Sequence, residues 1–253
     1  MPRTVQWPIG AGKDAPATEG LRERKKRLVR QQLSDTATEM FLERGFDNVR
    51  VTEVAAVCGV SEKTVYNYFP TKESLILDRW QTTPSVLLSA LADPEVPPLD
   101  AALQVLDEEL TSWTSWFAGL ADQVEAAAKV HRFGDLVQTT PSLRAYERDQ
   151  IDRLVTQAAH VLASRMGLDP EDPEPQIAAA MLLELWTIQA RSLRKHLETA
   201  AMLAQLRQMV ASDVQRAARL IAGGLAALDL VTQRPSKARD GRPARVVVVG
   251  QPV

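Results

Sequence analysis

The segment from Val51 to Phe69, Val-Thr-Glu-Val-Ala-Ala-Val-Cys-Gly-Val-Ser-Glu-Lys-Thr-Val-Tyr-Asn-Tyr-Phe, constrains this chain more than any other stretch. It reads as two short helices bracketing a tight turn. Val54, Ala55 and Cys58 fall at helical spacing and give the first helix a small apolar face. Thr52 is placed to cap that helix through its hydroxyl. Gly59 stands where the chain must leave the helix, a position that often needs positive φ. Ser61 is placed to cap the second helix, and Glu62 beside it suits the positive helix end. Val65 and either Tyr68 or Phe69 turn inward, which leaves Lys63, Thr64, Tyr66 and Asn67 pointing outward. Ala55 permits two crossing helices to approach closely. Such a unit is the shape of a DNA-reading helix-turn-helix.

The flanks extend the unit. Leu28, Leu33, Ala37, Met40 and Phe41 recur near 3.6-residue spacing, so residues 21–45 read as one helix stopped by Gly45. Pro70 ends the second short helix, because the residue before a proline is pushed out of the α region. Thr71-Lys72-Glu73-Ser74-Leu75 opens a further helix.

Phe41, Gly45, Phe46, Thr52, Val54, Ala55, Gly59, Val60, Ser61, Thr64, Val65, Tyr66, Tyr68, Phe69, Lys72, Glu73 and Leu75 together resemble the N-terminal signature of the TetR family of transcriptional regulators. The resemblance covers about residues 25–78. It implies an all-α homodimer whose C-terminal domain binds a small ligand and releases DNA. Two features depart from the pattern. Asn67-Tyr68 stands where the family often carries histidine, and Glu62 opens the second helix with an acid. Glu62 could accept from a cytosine amino group, although a solvated helix-start carboxylate is the plainer reading.

Charge is distributed as a polyanion binder with a separate body requires. Residues 21–80 hold 11 Lys and Arg against 9 Asp and Glu, whereas residues 81–230 hold 12 against 20. The basic run from Arg22 to Arg30 reads either as a solvated helix face or as an arm that touches DNA. With 253 residues, 45% hydrophobic and 25% charged, the chain is long enough to bury a core. No apolar run approaches the roughly 18–20 residues of a membrane span, and Met1 to Gly20 lacks a signal-peptide core. A single cysteine, Cys58, rules out an intrachain disulfide and fits a reducing cytoplasm.

Past residue 80 the periodicity is helical throughout. Residues 72–91 read as one helix disturbed by Pro84, followed by a loop over 93–98. Helices follow at 99–120, 123–138, and from Thr140-Pro141 to Met166 before Gly167. The acidic linker 169–175 precedes helices at 176–197 and 199–228. Residues 177–186, Ile-Ala-Ala-Ala-Met-Leu-Leu-Glu-Leu-Trp, are apolar almost all round and need cover on most sides. A homodimer four-helix interface would supply that cover, and so would the core of one chain. Ala217, Ala218, Ala222, Gly223 and Gly224 would permit close helix approach. Residues 1–20 and 231–253 read as disordered tails, with Val246 to Val249 as an isolated strand at most.

Trp113, Trp116, Phe117, Phe133 and Trp186 concentrate aromatic mass in the body, with His131, Arg132 and Gln189 as polar groups of a pocket. Aromatics at this spacing also serve as plain core. The stretch from His131-Arg132-Phe133 to Thr140-Pro141-Ser142-Leu143-Arg144 loosely resembles TetR members that bind acyl-CoA-like ligands. That resemblance implies a hydrophobic effector with Arg132 or Arg144 near an anionic part.

The resulting expectation is an all-α regulator with a helix-turn-helix domain at 21–78 and a ligand-binding, dimerising domain at 79–230. Its partners would be a pseudo-palindromic double-stranded operator and a small-molecule effector. Lys63, Thr64 and Asn67 are candidates for base edges. Thr52, Tyr66, Tyr68 and Lys72 are candidates for phosphates, and Ser61 holds the reading helix. No cofactor, metal or catalytic residue is expected. Gly-rich phosphate loops, His-Glu-x-x-His and Gly-x-Ser-x-Gly are absent from the sequence, and Glu108-Glu109 looks like a solvated face. The alternatives are an activator of the same fold and a helical protein-interaction module that does not touch DNA.

Overall fold

The computed structural model describes residues 20–78, 82–197 and 203–232, and within them every regular element is a helix. The elements are α1 (Leu21–Arg44), α2 (Val51–Val57), α3 (Glu62–Tyr68), α4 (Ser74–Leu77), α5 (Thr82–Ala92), α6 (Pro98–Ala118), α7 (Gln123–Thr139), α8 (Pro141–Met166), α9 (Pro173–Leu197) and α10 (Leu203–Thr232). The chain is all-α, with a helix-turn-helix unit at the N-terminal side and a helical body after it. The readings made for residues 1–19 and 233–253, including Val246 to Val249, lie outside the described residues.

Helix α1 stops at Gly45, whose φ of 83° removes the backbone from the helical region while its N–H still reaches the Phe41 carbonyl. Leu33, Ala37 and Phe41 on its inner face are fully buried, and Val54, Val65, Phe69, Leu75 and Ile76 close over them. Leu28, which fits the same stripe by spacing, is 49% exposed because α1 projects past the helices it packs on. Phe133, Val137 and Leu143 of α7 and α8 join this cluster, so the core of the N-terminal unit is continuous with the body.

Two helix boundaries are corrected, and one open alternative gains an observation. Residues 72–91 are two helices rather than one. Pro84 lies in the first turn of α5, where a missing N–H costs no intrahelical bond. Helix α9 begins at Pro173 and not near 176, again with proline in the first turn. Finally, the apolar stretch 177–186 finds most of its cover within its own chain. Ala178, Ala179, Leu182 and Leu183 pack with Leu87 and Leu91 of α5, Ala102 and Val105 of α6 and Ala158 and Leu162 of α8. Leu185 packs against Leu106, Val214 and Ala218.

Irregular segments are tied down by side chains. Arg165 donates to the Leu91 and Val96 carbonyls at 2.8 and 2.9 Å, satisfying the end of α5 and the loop after it. Gly167 ends α8 at φ 67°. Among the described residues no helix is long and apolar enough to cross a membrane.

Candidate functional site

Two places stand out: the outer surface of α2 and α3, and a cavity in the body. At the first, the turn closes by two backbone bonds, Gly59 N–H to Ala56 and Val60 N–H to Ala55, with Gly59 at φ 68°. This is the glycine-centred helix stop that satisfies the last carbonyls of α2. Ser61 caps α3: its Oγ accepts from the Thr64 N–H at 3.1 Å and lies 2.8 Å from Thr64 Oγ1. Thr52 does not cap α2. The helix starts two residues earlier than a Thr52 cap requires, with Arg50 in the cap position, and Glu53 reaches back to accept the Arg50 N–H at 2.7 Å. A carboxylate at the third helical position ties back the N–H of the residue before the helix, the reciprocal half of a capping box. Arg44 holds the same carboxylate at 2.8 Å. The Arg50 bond, then Arg44, hold the Glu53 carboxyl below the ordinary range.

Lys63, Tyr66 and Asn67 stand exposed at i, i+3 and i+4 on α3, forming one continuous outward face. Thr64 is half-buried beside them, and Glu62 and Thr52 are exposed. Tyr68 is half-buried against the core, and the inward anchors are Val65 and Phe69. Lys72 is turned inward. Its ammonium donates to the Phe46 carbonyl at 2.5 Å and lies 4.3 Å from the Phe46 ring centre and 5.5 Å from that of Phe41. Burial lowers the affinity of this lysine for its proton, an effect opposed by Asp47, Glu73 and Glu53. An ammonium has three donors, so the bond to Phe46 does not exhaust it.

Arg30 had no individual role in the sequence reading. It donates to the Tyr68 carbonyl at 2.7 Å, lies 4.4 Å from the Phe69 ring centre and stands 3.8 Å from the Asp78 carboxylate. Its partners lie 38 and more residues away, so no local pattern pointed to them.

The second place is a cavity of about 860 Å³ in the body, reached by α4 through Leu77 and Asp78. Four of the expected ligand residues line it: Trp113, Phe133, Trp186 and Gln189. The others do not. Phe117 is 1% exposed in the core between α6 and α10, and Trp116 packs on it with ring centres 4.7 Å apart. His131 pairs with Asp135 at 3.0 Å, and Arg132 pairs with Glu125 at 3.0 Å on the exposed side of α7. Arg144 is exposed on α8. Helical spacing placed these residues on α6, α7 and α8 but could not tell which of them faced the interior space.

Glu109 is the functional candidate that sequence reasoning missed. It is 5% exposed, not solvated, and lines the cavity. Its Oε1 accepts from Thr83 Oγ1 at 2.9 Å and Trp186 Nε1 at 3.3 Å, and its Oε2 accepts from Gln189 Nε2 at 2.9 Å. Burial pushes its carboxyl above the ordinary range, and Thr83, Trp186 and Gln189 oppose that rise. The signal was present in the sequence. Glu109 shares a helix face with Val105, Leu106, Leu110 and Trp113, all buried, while Glu108 beside it points to solvent.

Comparison with known proteins follows this geometry. Residues 33–78 match the family model for bacterial regulatory proteins of the tetR family. The HTH-type transcriptional regulator TcmR of Streptomyces glaucescens is 28% identical over 162 residues, 63% of this chain and 70% of that protein. The HTH-type transcriptional repressor DhaR of Mycobacterium sp. (strain GP1) is 32% identical over 75 residues, 28% of this chain and 38% of that protein. Among solved structures, a transcriptional regulator of Aquifex aeolicus VF5 superposes with a TM-score of 0.42 at 18% identity, over 74% of this chain and 98% of that one.

Proposed function

We propose that this chain, whose residues 33–78 match the family model for bacterial regulatory proteins of the tetR family, is a ligand-responsive repressor that binds double-stranded operator DNA as a homodimer in the cytoplasm. Residues 21–78 are the DNA-binding domain and residues 79–230 the ligand-binding and dimerisation domain. The reading is supported above all by one observation: a capped helix presents Lys63, Tyr66 and Asn67 outward, and α4 carries the chain from there into the wall of a cavity in the body. Repression, rather than activation, is the reading that accords with the DhaR match.

Lys63, Thr64 and Asn67 read base edges, and Thr52, Tyr66, Tyr68 and Lys72 hold phosphates. Two α3 helices of a dimer enter successive major grooves about 34–36 Å apart, so the operator is pseudo-palindromic. The outer faces of α9 and α10 form the dimer contact, where Ile177 is 51% and Leu220 84% exposed. The effector is a small, largely apolar molecule held against Trp113, Phe133 and Trp186. It lowers DNA affinity by its differential affinity for the two dimer geometries and by no more. An acyl-CoA-like class rested on Arg132 or Arg144 near an anionic group, and both stand outside the cavity.

Footprinting on the promoter region of its own gene tests the reading. A protected pseudo-palindrome, lost on addition of one compound, is expected. No protection at low salt would favour the protein-interaction module instead.

A further inference from the structure

Glu109 presents an electrostatic problem that the rest of the cavity does not solve. A buried carboxylate is costly unless it is paired with a cation. Among the described residues, the groups that bond it are three neutral donors: Thr83, Trp186 and Gln189. An ionised carboxylate offers about four acceptor positions, so three donors leave roughly one on Oε2 open. The cavity that Glu109 lines has aromatic walls. Trp186 bonds the carboxylate directly, and Trp113 and Phe133 line the same cavity. Aromatic faces attract cations through their quadrupole.

The basic residues along the cavity do not supply the missing charge. Arg153 and Arg191 are 67% and 62% exposed and paired with Asp149 and Glu184, and Arg148 is exposed. Arg194 lies along α7, where its Cδ fills the space a Cβ on Gly134 would take, and Glu147 stands near it and Arg191. Asp78, the other buried acid of the lining, is already met by Tyr146 and faced by Arg30, so Glu109 is the buried acid there whose hydrogen-bond partners are all neutral.

Resting on the reading of this cavity as the effector site, we infer that its ligand is an organic cation, an apolar or aromatic body bearing a protonated amine that docks on Glu109. The amine completes the carboxylate's bonds and neutralises it, and the body fills the space between Trp113, Phe133 and Trp186. An anionic acyl chain with its head at the same place would put two negative charges together without water.

Calorimetric titration of the full-length protein at pH 7 with decylamine, decanol and decanoate, each below its aggregation concentration, tests this. The three share one tail and differ in head charge, the amine being protonated because such groups titrate near 10.4. Decylammonium should bind about tenfold tighter than decanol, the gain expected of a charged over a neutral hydrogen bond, and decanoate more weakly than either. Glu109→Gln should bring amine and alcohol to within about threefold of each other. Thr83→Val, which keeps the carboxylate, should retain the amine preference. Decanoate or decanol binding as tightly as decylammonium overturns the cation assignment while leaving an effector cavity. Absence of binding by all three overturns both. An undiminished amine preference in Glu109→Gln, or its loss in Thr83→Val, removes Glu109 as the anchor.

Discussion

The Tyr146 hydroxyl donates to Asp78 Oδ1 at 2.8 Å, bonding α8 of the body to the residue that closes α4. Asp78 also faces Arg30, which holds the carbonyl at the last residue of the reading helix. A wall residue of the cavity is therefore two side-chain contacts away from the end of α3. Tyr146→Phe removes one donor from a carboxylate that is 9% exposed. It should cost about 1.5–3 kcal/mol, the range for bonds to charged groups, in urea unfolding. Combined with Asp78→Asn it should cost clearly less than the sum of the two singles. Full additivity would show that the bond contributes nothing of its own.

A second tie crosses between the same parts. Lys129 of α7 pairs with both oxygens of Glu39 on α1 at 3.0 and 2.9 Å, with side chains 13% and 21% exposed. Glu39→Lys places two cations together and should destabilise by about 1–3 kcal/mol, between the exposed and fully buried cases. The reciprocal Glu39→Lys, Lys129→Glu double variant should recover most of that loss in thermal unfolding. Failure of the swap to recover any stability would show that the pair's charge is not what matters.

Lys72 combines two roles that salt can separate. Lys72→Ala removes the bond to Phe46 and the stacking on its ring, which lowers stability. As a phosphate contact it should also weaken binding equally on operator and random DNA and lower the slope of log K against log salt by about one. An unchanged slope with lowered stability would leave Lys72 a structural residue only.

Asp213 gives the α9–α10 contact a pH dependence. Its bond from Ser192, and then His196 and Arg216, hold its carboxyl below the ordinary 3.8. A carboxyl whose folded value is depressed stabilises the fold above its unfolded value and loses that contribution as pH falls through the folded one. Wild type should therefore exceed Asp213→Ala in stability at neutral pH, with the gap closing below about pH 3.8. A gap constant from pH 7 to pH 3 would place the effect in packing rather than charge.

Glycines and prolines carried much of what was legible. Gly45, Gly59 and Gly167 end their helices at positive φ, where a side chain would strain the backbone. Ser61 caps α3 because its hydroxyl and the Thr64 N–H are three residues apart on one chain. Thr52 failed as a cap because a competing local pair, the Arg50 N–H with the Glu53 carboxylate, starts the helix two residues sooner. Pro84 was read as a kink when it is a first-turn residue, since a proline's meaning depends on where the helix begins.

The sequence by itself determined the helices, their stops and the outward face of α3, because caps, turns and periodicity act between residues a few positions apart. Only the tertiary structure decided that Glu109 is buried beside Thr83, Trp186 and Gln189, that Arg30 spans Tyr68 and Asp78, and that Phe117 is core while Trp113 lines a cavity. Those relations join residues 26 to 80 positions apart. They depend on how helices cross, and the crossing is chosen by packing over the whole core rather than by any one segment.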